Sequence, residues 1–496
     1  MNTTLGAVAI VRHIRAMTVS LPPDLLTHEY ADLPEHFAAK QIPDPSPEPL
    51  LFAWNDGLAT ELGISGLDEG SRVALCAGNA VPSEAMPIAA AYAGHQFGGL
   101  VPQLGDGRAV LLGERADKQG RPVDIQLKGS GPTPFSRGGD GRAWLGPVLR
   151  EYLISEAMHA LGVPTTRALG AVTTGAKVWR ERALPGAIVT RTARSHVRVG
   201  TFIYFAIRGD KAALETLVQF SLQRCYPHLQ DTENAALALL EAVVDAQAAL
   251  VAKWMGLGFI HGVMNTDNVA ISGETIDYGP CAFMDEFARG RVFSSIDQQG
   301  RYAYANQPRI AHWNLAQFAG TLLPILVDDE AAAQVLAQEA VNAFGEAYDT
   351  HWRAVLAAKL GFESLSDENL AHTEVLFDLM EQHGLDFTNT FRALALGSPM
   401  PDVLNDWHGA WLEQLSSSNI DAAMAKRTPL KANPAIIPRN HQVEKAITAA
   451  AFEGDFKPFE SLREALETPF DQNHDNTNLT VPPTEDARVT RTFCGT

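Results

Sequence analysis

Residues 261–280, HGVMNTDNVAISGETIDYGP, decide how the rest of this 496-residue chain is interpreted. Asn268 and Asp277 stand in this stretch, and the apolar residues between them predict a short hairpin over residues 269–276. An amide and a carboxylate that face each other across such a hairpin can share a Mg²⁺ ion bound to triphosphate oxygens. Taken singly, a loop Asn and a turn Asp are more often structural, so the interpretation depends on the residues upstream.

A strand lysine and a helix glutamate precede this stretch. Residues 122–127 predict a strand, and Lys128 ends it within the sequence DIQLK. Residues 144–161 predict the next helix, which places its apolar residues on one face and Glu151 on another, so Glu151 need not be buried. Each residue alone is most simply a solvated side chain. Together they reproduce the ion pair that positions the phosphate-holding lysine in kinase folds.

A glycine-rich turn comes before the lysine. Gly105, Gly107 and Arg108 lie between two apolar runs, residues 101–104 and 109–112. An Asp-Gly pair between such runs predicts a β-hairpin. Backbone amides without bulky side chains can approach a phosphate chain closely, although the alternative is a turn without a ligand.

The order of these features matches the protein-kinase plan: glycine-rich hairpin, strand lysine, helix glutamate, a loop with His and Asn, then D-x-G. One position departs from the plan. The catalytic aspartate of a protein kinase would follow the loop histidine by two residues, where this chain has Val263. Valine cannot accept a proton, and Asp267 is the loop's only carboxylate. The sequence therefore disfavours ordinary protein-kinase activity but retains a candidate base.

Arginines are concentrated in one part of an acidic chain. The chain has a net charge of −19, yet residues 137–208 hold an excess of Lys and Arg over Asp and Glu. Arg191, Arg194 and Arg198 cluster in TRTARSHVR, directly after an apolar strand. Guanidinium groups placed there can grip terminal phosphates. The alternative is that they are solvated residues of a small lobe.

Composition and periodicity predict an α+β protein with a bilobal, protein-kinase-like fold, a strand-rich N-lobe and a larger helical C-lobe. The content of 46% apolar and 20% charged residues is typical of globular proteins. Strands are expected at 165–174 and 186–192, and helices at 50–62, from a Thr232 cap to residue 255, and at 314–326, 330–359 and 373–382. We divide the chain into an N-terminal extension packing on the lobes (1–90), the N-lobe (91–208), the C-lobe with the catalytic loop (209–465) and a loosely ordered tail (466–496).

Other classes of protein are disfavoured. The acidic balance argues against a nucleic-acid partner, and the absence of 18 uninterrupted apolar residues argues against a membrane span. Four cysteines without a CxxC pair argue against a zinc cluster and favour a reducing compartment. We expect a cytoplasmic location, or a mitochondrial one if the N-terminus, with Arg12 and Arg15 behind its apolar run, is a transit peptide; Met17 is an alternative start.

Long segments of the sequence resemble the selenoprotein O family, and the match covers most of the chain. The similar segments are YAGHQFGGLVPQLGDGRAVLLGE, DIQLKGSGPTPFSRGGDGRA, HGVMNTDN, IDYGPCAFMD, NQPRIAHWNLAQF and LKANPAIIPRNH. The family is similar to protein kinases in fold and is described as adenylylating proteins. Its nucleotide lies reversed in the cleft, with the γ-phosphate held inward and the α-phosphate presented for attack.

The resemblance implies a set of site residues. Asp267 matches the proton acceptor, Asn268 and Asp277 match the magnesium ligands, and Cys494 corresponds to the selenocysteine of some members. The implied nucleotide contacts are Gly105, Gly107, Arg108, Lys128, Asp140, Gly141, Arg191, Arg198 and Asp277.

Taken together, the sequence predicts a protein adenylyltransferase that moves AMP from ATP to Ser, Thr or Tyr hydroxyls of proteins and releases pyrophosphate. Mg²⁺ is the expected cofactor, with Mn²⁺ as the alternative, and UTP is an alternative to ATP. Two other functions stay open: an atypical kinase that transfers the γ-phosphoryl group, and a non-catalytic pseudokinase scaffold that only binds nucleotide. Asp267 favours an enzyme over a scaffold.

Overall fold

The computed structural model describes residues 19–418, 428–475 and 477–493. The transit-peptide hypothesis for the N-terminus and the correspondence of Cys494 to a selenocysteine both fall outside these ranges.

An antiparallel sheet organises the N-terminal half of the described chain. Its strand order is β1-β3-β6-β7-β10-β9-β2, and β8 pairs with β10. Two small sheets, β4 with β5 and β11 with β12, lie apart from it. The strands are β1 Ala38–Lys40, β2 Leu50–Trp54, β3 Ile88–Ala90, β4 Gly94–Gln96, β5 Gly99–Val101, β6 Ala109–Ala116, β7 Pro122–Lys128, β8 Ala143–Trp144, β9 Arg167–Trp179, β10 Ala183–Ala193, β11 Phe259–Ile260 and β12 Ala282–Phe283.

Strand β7 shows how the sequence divides the two faces of this sheet. Ile125 and Leu127 are fully buried in the apolar cluster that also contains Leu58 and Leu75. The alternate residues of β7 are polar, and successive side chains of a strand point to opposite faces. Asp124, Gln126 and Lys128 therefore share the other face, and this is the face that carries the site.

Helices form most of the rest of the described chain. They are α1 Asp56–Glu61, α2 Glu69–Ala77, α3 Leu145–Ala160, α4 Val199–Ala206, α5 Lys211–Cys225, α6 Ala235–Gly256, α7 Gln307–Leu326, α8 Glu330–Asn342, α9 Phe344–Leu360, α10 Asp367–His383, α11 Phe387–Leu396, α12 Asn405–Ser417, α13 Asn440–Thr448 and α14 Lys457–Leu466. This strand-rich part followed by a larger helical part confirms the predicted fold class.

Helix α6 is the core helix of the helical part. By length and composition it could cross a membrane, with a mean hydropathy of 1.8 over its most apolar window. Leu239, Leu240 and Val243 are fully buried in the large apolar cluster, and the helix packs against α5, α7 and α9. Such packing is also typical of a core helix in a globular protein.

The C-terminal helices return to the N-terminal sheet. Helices α13 and α14 pack on α3, and Val443, Phe459 and Leu462 share one apolar cluster with Leu149 and other residues of α3. Beyond them, the tail is mostly exposed, but Thr492 is buried and its backbone pairs with Phe293 and Ser295. The end of the described chain thus contacts the segment that follows Asp277.

The domain boundaries stay a prediction, but the large sheet draws strands from both sides of residue 91. Strands β1, β2 and β3 come from the predicted N-terminal extension and pair with β3, β9 and β6, respectively. Part of the helical run expected at 50–62 is strand β2, and only its second half is helix α1. An apolar run of this length fits either structure, and pairing with β9 decides it.

Two predicted hairpins are wrong. Residues 101–104 and 109–112 do not pair; β5 pairs with β4, and β6 pairs with β3 and β7. Between them the backbone N–H groups of Leu104 and Gly105 donate to the Tyr92 carbonyl, so the chain turns toward β3. Residues 269–276 form only isolated bridges, from Ala270 to Arg198 and from Thr275 to Thr165.

Two helix predictions also need correction. Asn234, not Thr232, caps α6, because its side-chain oxygen accepts from the backbone N–H of Leu237. The helix expected over residues 330–359 is two helices, α8 and α9, joined at Ala343. The predicted strands at 165–174 and 186–192 exist and extend further, as β9 and β10.

Candidate functional site

One cleft of about 610 Å³ brings together the residues that the sequence predicted as base, metal ligands and nucleotide contacts, but not Arg194. The predicted residues in its lining are Gly105, Gly107, Arg108, Lys128, Asp140, Gly141, Arg191, Arg198, Asp267, Asn268 and Asp277. Positive side chains outnumber the acids in the lining, although the chain as a whole is acidic. The cleft therefore suits an anionic ligand.

Lys128 forms the predicted pair with Glu151. Its Nζ donates to Glu151 Oε2 at 2.7 Å and to Asp277 Oδ1 at 2.5 Å. Glu151 is 6% exposed, so the expectation that it need not be buried is wrong. Helix α3 is buried on nearly all sides between the sheet and α13, and the glutamate faces the cations rather than water. The two cations beside Glu151 lower the pKa of its carboxyl despite the burial.

Arg191 completes this arrangement from the neighbouring strand. The register of β7 and β10 places Arg191 directly opposite Gln126, and Arg191 Nε donates to Gln126 Oε1 at 2.7 Å. Its Nη1 donates to Asp277 Oδ1 at 2.6 Å and to Glu151 Oε1 at 3.2 Å. The alternation of side chains along both strands thus puts Lys128 and Arg191 on one face.

Arg198 reaches Asp277 from the start of α4. Its Nη1 donates to Asp277 Oδ2 at 2.7 Å and to the backbone carbonyl of Asp267 at 2.6 Å. The guanidinium lies 4.7 Å from the centre of the Tyr92 ring. Arg194, from the same sequence cluster, instead donates to the Cys225 carbonyl, so the cluster divides between the cleft and the packing behind it.

Asp277 is the residue on which these cations converge. Lys128, Arg191 and Arg198 hold the pKa of its carboxyl well below the ordinary value. Its backbone has φ of 65°, in the left-handed region that non-glycine residues rarely adopt. Residues held in this region cluster at functional sites, where the surrounding contacts enforce the conformation.

Asp267 differs from Asp277 in its surroundings. It lies in a single turn of 3₁₀ helix, Thr266–Asn268, and its Oδ1 is buried without a hydrogen-bond partner among the described residues. Burial raises the pKa of Asp267 to about 6. A buried carboxyl with a raised pKa in the lining of a cleft is suited to accept a proton.

Asn268 and Asp277 carry the oxygen ligands that Mg²⁺ prefers. Asn268 Nδ2 donates to the Val263 carbonyl at 2.8 Å, which fixes the amide and leaves its oxygen available. Within the described ranges there is no group of three or more His, Cys, Asp and Glu residues suited to hold a metal. Mg²⁺ in nucleotide sites usually takes only one or two protein ligands and completes its shell with phosphates and water, so the donor set fits.

The glycines of the cleft are required by close packing. A Cβ on Gly105, whose φ is 66°, would lie 2.3 Å from the Phe135 ring, and one on Gly107 would lie 2.9 Å from the Phe135 carbonyl. Gly141 has φ of 61°, and a Cβ there would lie 2.1 Å from the Gly131 carbonyl. These positions exclude side chains and leave backbone at the cleft surface.

Asp140 lies at the rim rather than among the buried cations. It accepts from Arg180 Nη1 at 2.8 Å and from the backbone N–H of Arg142 at 3.0 Å. Arg180 was missed in the sequence, as were Asp106 and Gln126, which line or support the cleft. Alternation from Lys128 could have found Gln126, but only the fold places Arg180 beside Asp140.

Comparison with known proteins agrees with this geometry. A family model described as protein adenylyltransferase SelO matches residues 25–467. The chain belongs to this family. It is 52% identical over 485 residues to the protein nucleotidyltransferase YdiU of Rhizobium etli (strain CIAT 652), covering 95% of this chain and 97% of that protein. It is 53% identical over 479 residues to YdiU of Jannaschia sp. (strain CCS1), covering 94% and 98%.

Membership of the SelO family confirms the resemblance read from the sequence motifs and the predicted nucleotidyltransferase activity. The matched residues 25–467 include the whole cleft lining and both C-terminal helices that pack on α3. A third relative, YdiU of Ruegeria sp. (strain TM1040), is 51% identical over 97% of this chain and all of its own length. The individual roles of the cleft residues stay predictions.

Proposed function

We propose that this chain transfers AMP from ATP to Ser, Thr or Tyr hydroxyl groups of proteins, with ATP bound in the reversed orientation. The observation that carries the proposal is the convergence of Arg191 and Arg198, each 2% exposed, on the buried wall of the cleft. Guanidinium groups bind phosphate oxygens with two parallel donors, which suits the terminal phosphates of a nucleotide. Family membership supports the same chemistry.

In this proposal the cations hold the part of ATP that leaves. Lys128, Arg191 and Arg198 bind the β- and γ-phosphates, and Glu151 orients Lys128 through their 2.7 Å contact. Positive groups fixed beforehand stabilise the charge that develops on pyrophosphate without reorganisation during the reaction. The α-phosphate then lies toward the open side of the cleft.

Asp267 is the proposed base. The acceptor hydroxyl oxygen attacks the α-phosphorus and its proton passes to the Asp267 carboxylate. The bond from the α-phosphorus to the bridging oxygen breaks, and pyrophosphate leaves with that oxygen. The position of Asp267 in the cleft lining supports this role, and the contact from Arg198 to the Asp267 carbonyl holds the turn in place.

Asn268 and Asp277 are the proposed ligands of Mg²⁺, with Mn²⁺ as the alternative. A divalent ion there would neutralise charge on the phosphates. Asp277 already faces three cations, so it also links the ion to the groups that grip the phosphates.

Two parallel reactions test the proposed function, with ATP labelled at the α- or the γ-phosphate, mixed cell protein as acceptor, and Asp267→Asn as the matched control. We expect protein-bound label from α-labelled ATP only, and none with the variant. Label from γ-labelled ATP only would establish the kinase alternative instead. Label from neither, with ATP still bound, would establish the scaffold alternative.

We also propose a cytoplasmic location, with no nucleic-acid or membrane partner. The net charge of −19 supports the absence of a nucleic-acid partner. The buried thiols of Cys76 and Cys225 are compatible with a reducing compartment. Fractionation of cells expressing the tagged chain tests the location.

A further inference from the structure

A second groove, of about 510 Å³, adjoins the cleft. Phe97 and Ile296 line both, so a ligand lying in the groove reaches the cleft across these two side chains. Phe97 is 38% and Ile296 58% exposed, and the nearby Leu100 is 47% exposed. Apolar side chains grouped at the mouth of a polar cleft are typical of a surface that binds a partner.

The hairpin of β4 and β5 holds Phe97 beside the proposed base. The His95 N–H donates to Thr266 Oγ1 at 2.7 Å, and the Phe97 N–H donates to Asn265 Oδ1 at 3.1 Å. A Cβ on Gly94 would lie 2.3 Å from Asp267 Oδ1, so the hairpin closely approaches this carboxylate. Phe97 has φ of 52°, a strained conformation for an aromatic residue. The hairpin contacts thus fix an exposed aromatic ring near Asp267.

The groove carries positive charge that the chain does not neutralise. Arg301 and Arg309 line it, and neither forms an ion pair with a carboxylate in the described part of the chain. Asp297 is the acid of the lining, and its two oxygens accept from the backbone N–H groups of Arg301 and Tyr302. Arg301 lies 4.9 Å from the Trp313 ring centre, and its Nε is buried without a hydrogen-bond partner.

We propose that this groove binds the acceptor protein through an extended segment with acidic residues close to the modified hydroxyl. The hydroxyl lies at Asp267, an apolar neighbour rests on Phe97 and Ile296, and the acidic side chains pair with Arg301 and Arg309. We choose an acidic partner because its charge is complementary to that of Arg301 and Arg309, which carry positive charge in a strongly acidic chain. The inference rests on the proposed function and adds the class of acceptor.

The test uses two pools of nine-residue peptides, each with one central Ser, Thr or Tyr and otherwise neutral positions. One pool carries Asp and Glu beside the hydroxyl residue, and the other carries Lys and Arg. Incorporation of label from α-labelled ATP is measured for the full chain, together with direct ATP binding. We expect the acidic pool to react about 3- to 10-fold faster at low peptide concentration, the range of one or two rim ion pairs.

Charge reversal identifies the groove as the cause. Arg309 is exposed, so the Arg309→Glu variant should fold normally. It should raise KM for the acidic pool and so remove or invert the preference between the two pools, while ATP binding stays unchanged. Lys118→Glu, on the turn between β6 and β7, is the matched control and should keep the preference, because Lys118 is exposed, forms no ion pair within the described residues and lies outside both linings. Phe97→Asn, which tolerates positive φ, should raise KM for both pools.

The outcomes separate this inference from the proposed function. Equal labelling of both pools by the wild type, or a preference that survives Arg309→Glu, overturns the acceptor site and leaves the transfer of AMP intact. Label in neither pool and none in mixed cell protein, with ATP bound, overturns both.

Discussion

Two charged clusters lie on the same face of the N-terminal sheet and are built from similar residues. The cleft cluster comprises Asp106, Lys128, Glu151, Arg191, Arg198 and Asp277. The rear cluster comprises Glu29, Glu114, Asp124, His196 and Arg224. Asp124 and Lys128 belong to one strand, four residues apart, with Gln126 between them.

The clusters differ in the balance of charge. In the cleft cluster three cations donate to two carboxylates, and Arg198 faces a third, Asp106, at 3.9 Å, so cations and acids are equal in number. In the rear cluster Arg224 is the guanidinium that faces Asp124, Glu29 and, at 3.9 Å, Glu114. Burial lowers the pKa of His196, so it adds little positive charge at neutral pH.

Only the rear cluster has an excess of acid, since Arg224 faces three carboxylates there. Burial and the nearby Asp124 raise the pKa of Glu114 to about 7, so a proton relieves the excess of acid in the rear cluster. The arginines of the cleft cluster stay charged and line the open cleft, where an anionic ligand can reach them. No residue of the rear cluster lines that cleft, and this contrast separates a binding site from a structural network.

The largest expected effect is on the rate of AMP transfer, and it compares two acids with a raised pKa, Asp267 and Glu274. Asp267→Asn should slow AMP transfer by about 10²–10⁴-fold, because a general base is lost. ATP binding should remain, since the side chain makes no contact with the cations that hold the phosphates. Rates from α-labelled ATP and ATP titrations measure the two quantities.

Glu274 provides the matched control for Asp267. Burial raises the pKa of Glu274 to about 7, but its oxygen accepts from the Arg194 N–H and from Ser272, outside the cleft. Glu274→Gln should leave the rate within about twofold of wild type. Equal losses in both variants would contradict the role given to Asp267.

The next prediction compares the central carboxylates of the two clusters, Asp277 in the cleft cluster and Asp124 in the rear cluster. Asp277→Asn and Asp124→Asn should each lower the free energy of unfolding by about 3 kcal/mol, because each leaves buried cations without their partner. Only Asp277→Asn should also weaken Mg²⁺-dependent ATP binding. Thermal unfolding with and without nucleotide checks both statements.

Pyrophosphate sharpens the same comparison. It should restore stability to Asp277→Asn by binding the cations that have lost their carboxylate partner, through the ordinary linkage of binding and folding. It should not restore Asp124→Asn beyond its effect on wild type. If pyrophosphate stabilised the two variants equally, the clusters would not differ as described.

A smaller effect distinguishes nucleotides. Arg198→Ala should weaken ATP binding by roughly 10- to 100-fold and leave AMP binding nearly unchanged, because a charge-assisted hydrogen bond is worth about 1.5–3 kcal/mol. Arg194→Ala is the control from the same sequence cluster, and it should affect neither nucleotide. Equal losses of affinity for ATP and AMP would contradict the role of Arg198 in binding the distal phosphates.

The last prediction concerns the pH dependence of stability. The folded pKa of Glu274 is about 7, above the ordinary value of 4.5, so between these pH values the folded chain binds more protons than the unfolded one. Its contribution to stability is therefore present below about pH 4.5 and decreases as pH rises through 7, by at most about 1.4 kcal/mol per pH unit.

Glu274→Gln tests this sign. The variant cannot titrate at this position, so its stability should decrease less between pH 5 and 7 than that of wild type. Urea unfolding at several pH values measures the difference. A steeper decrease in the variant would mean that the carboxyl is ionised in the folded chain.

The sequence predicted the members of the cleft better than their local structure. Lys128, Glu151 and Asp277 follow from spacing and chemistry alone, and their contacts are present. The hairpin expected around Gly105 is absent because its backbone donors pair with Tyr92, a partner that no local pattern reveals. Periodicity along α3 misjudged Glu151, since helices packed on several sides have no solvent face.

Some features had no signal in the sequence. Leu50–Trp54 becomes a strand through pairing with β9, more than a hundred residues later. The ion pair of Arg180 with Asp140 likewise depends on the β9–β10 hairpin reaching over the cleft rim. Non-local pairing of this kind depends on the whole fold rather than on propensity.

The packing of α13 and α14 on α3 has a consequence for the timing of synthesis. Helix α3 carries Glu151, and the neighbouring Arg150 pairs with Glu444 of α13. On the ribosome, the chain from α3 to α13 takes roughly 15–60 s to make at ordinary elongation rates. During this interval the face of α3 that packs on α13 and α14 is uncovered. The helix that carries Glu151, which orients Lys128, therefore lacks part of its packing. The nascent chain therefore acquires its finished cleft only after α13 and α14 have been made, which delays nucleotide chemistry until then.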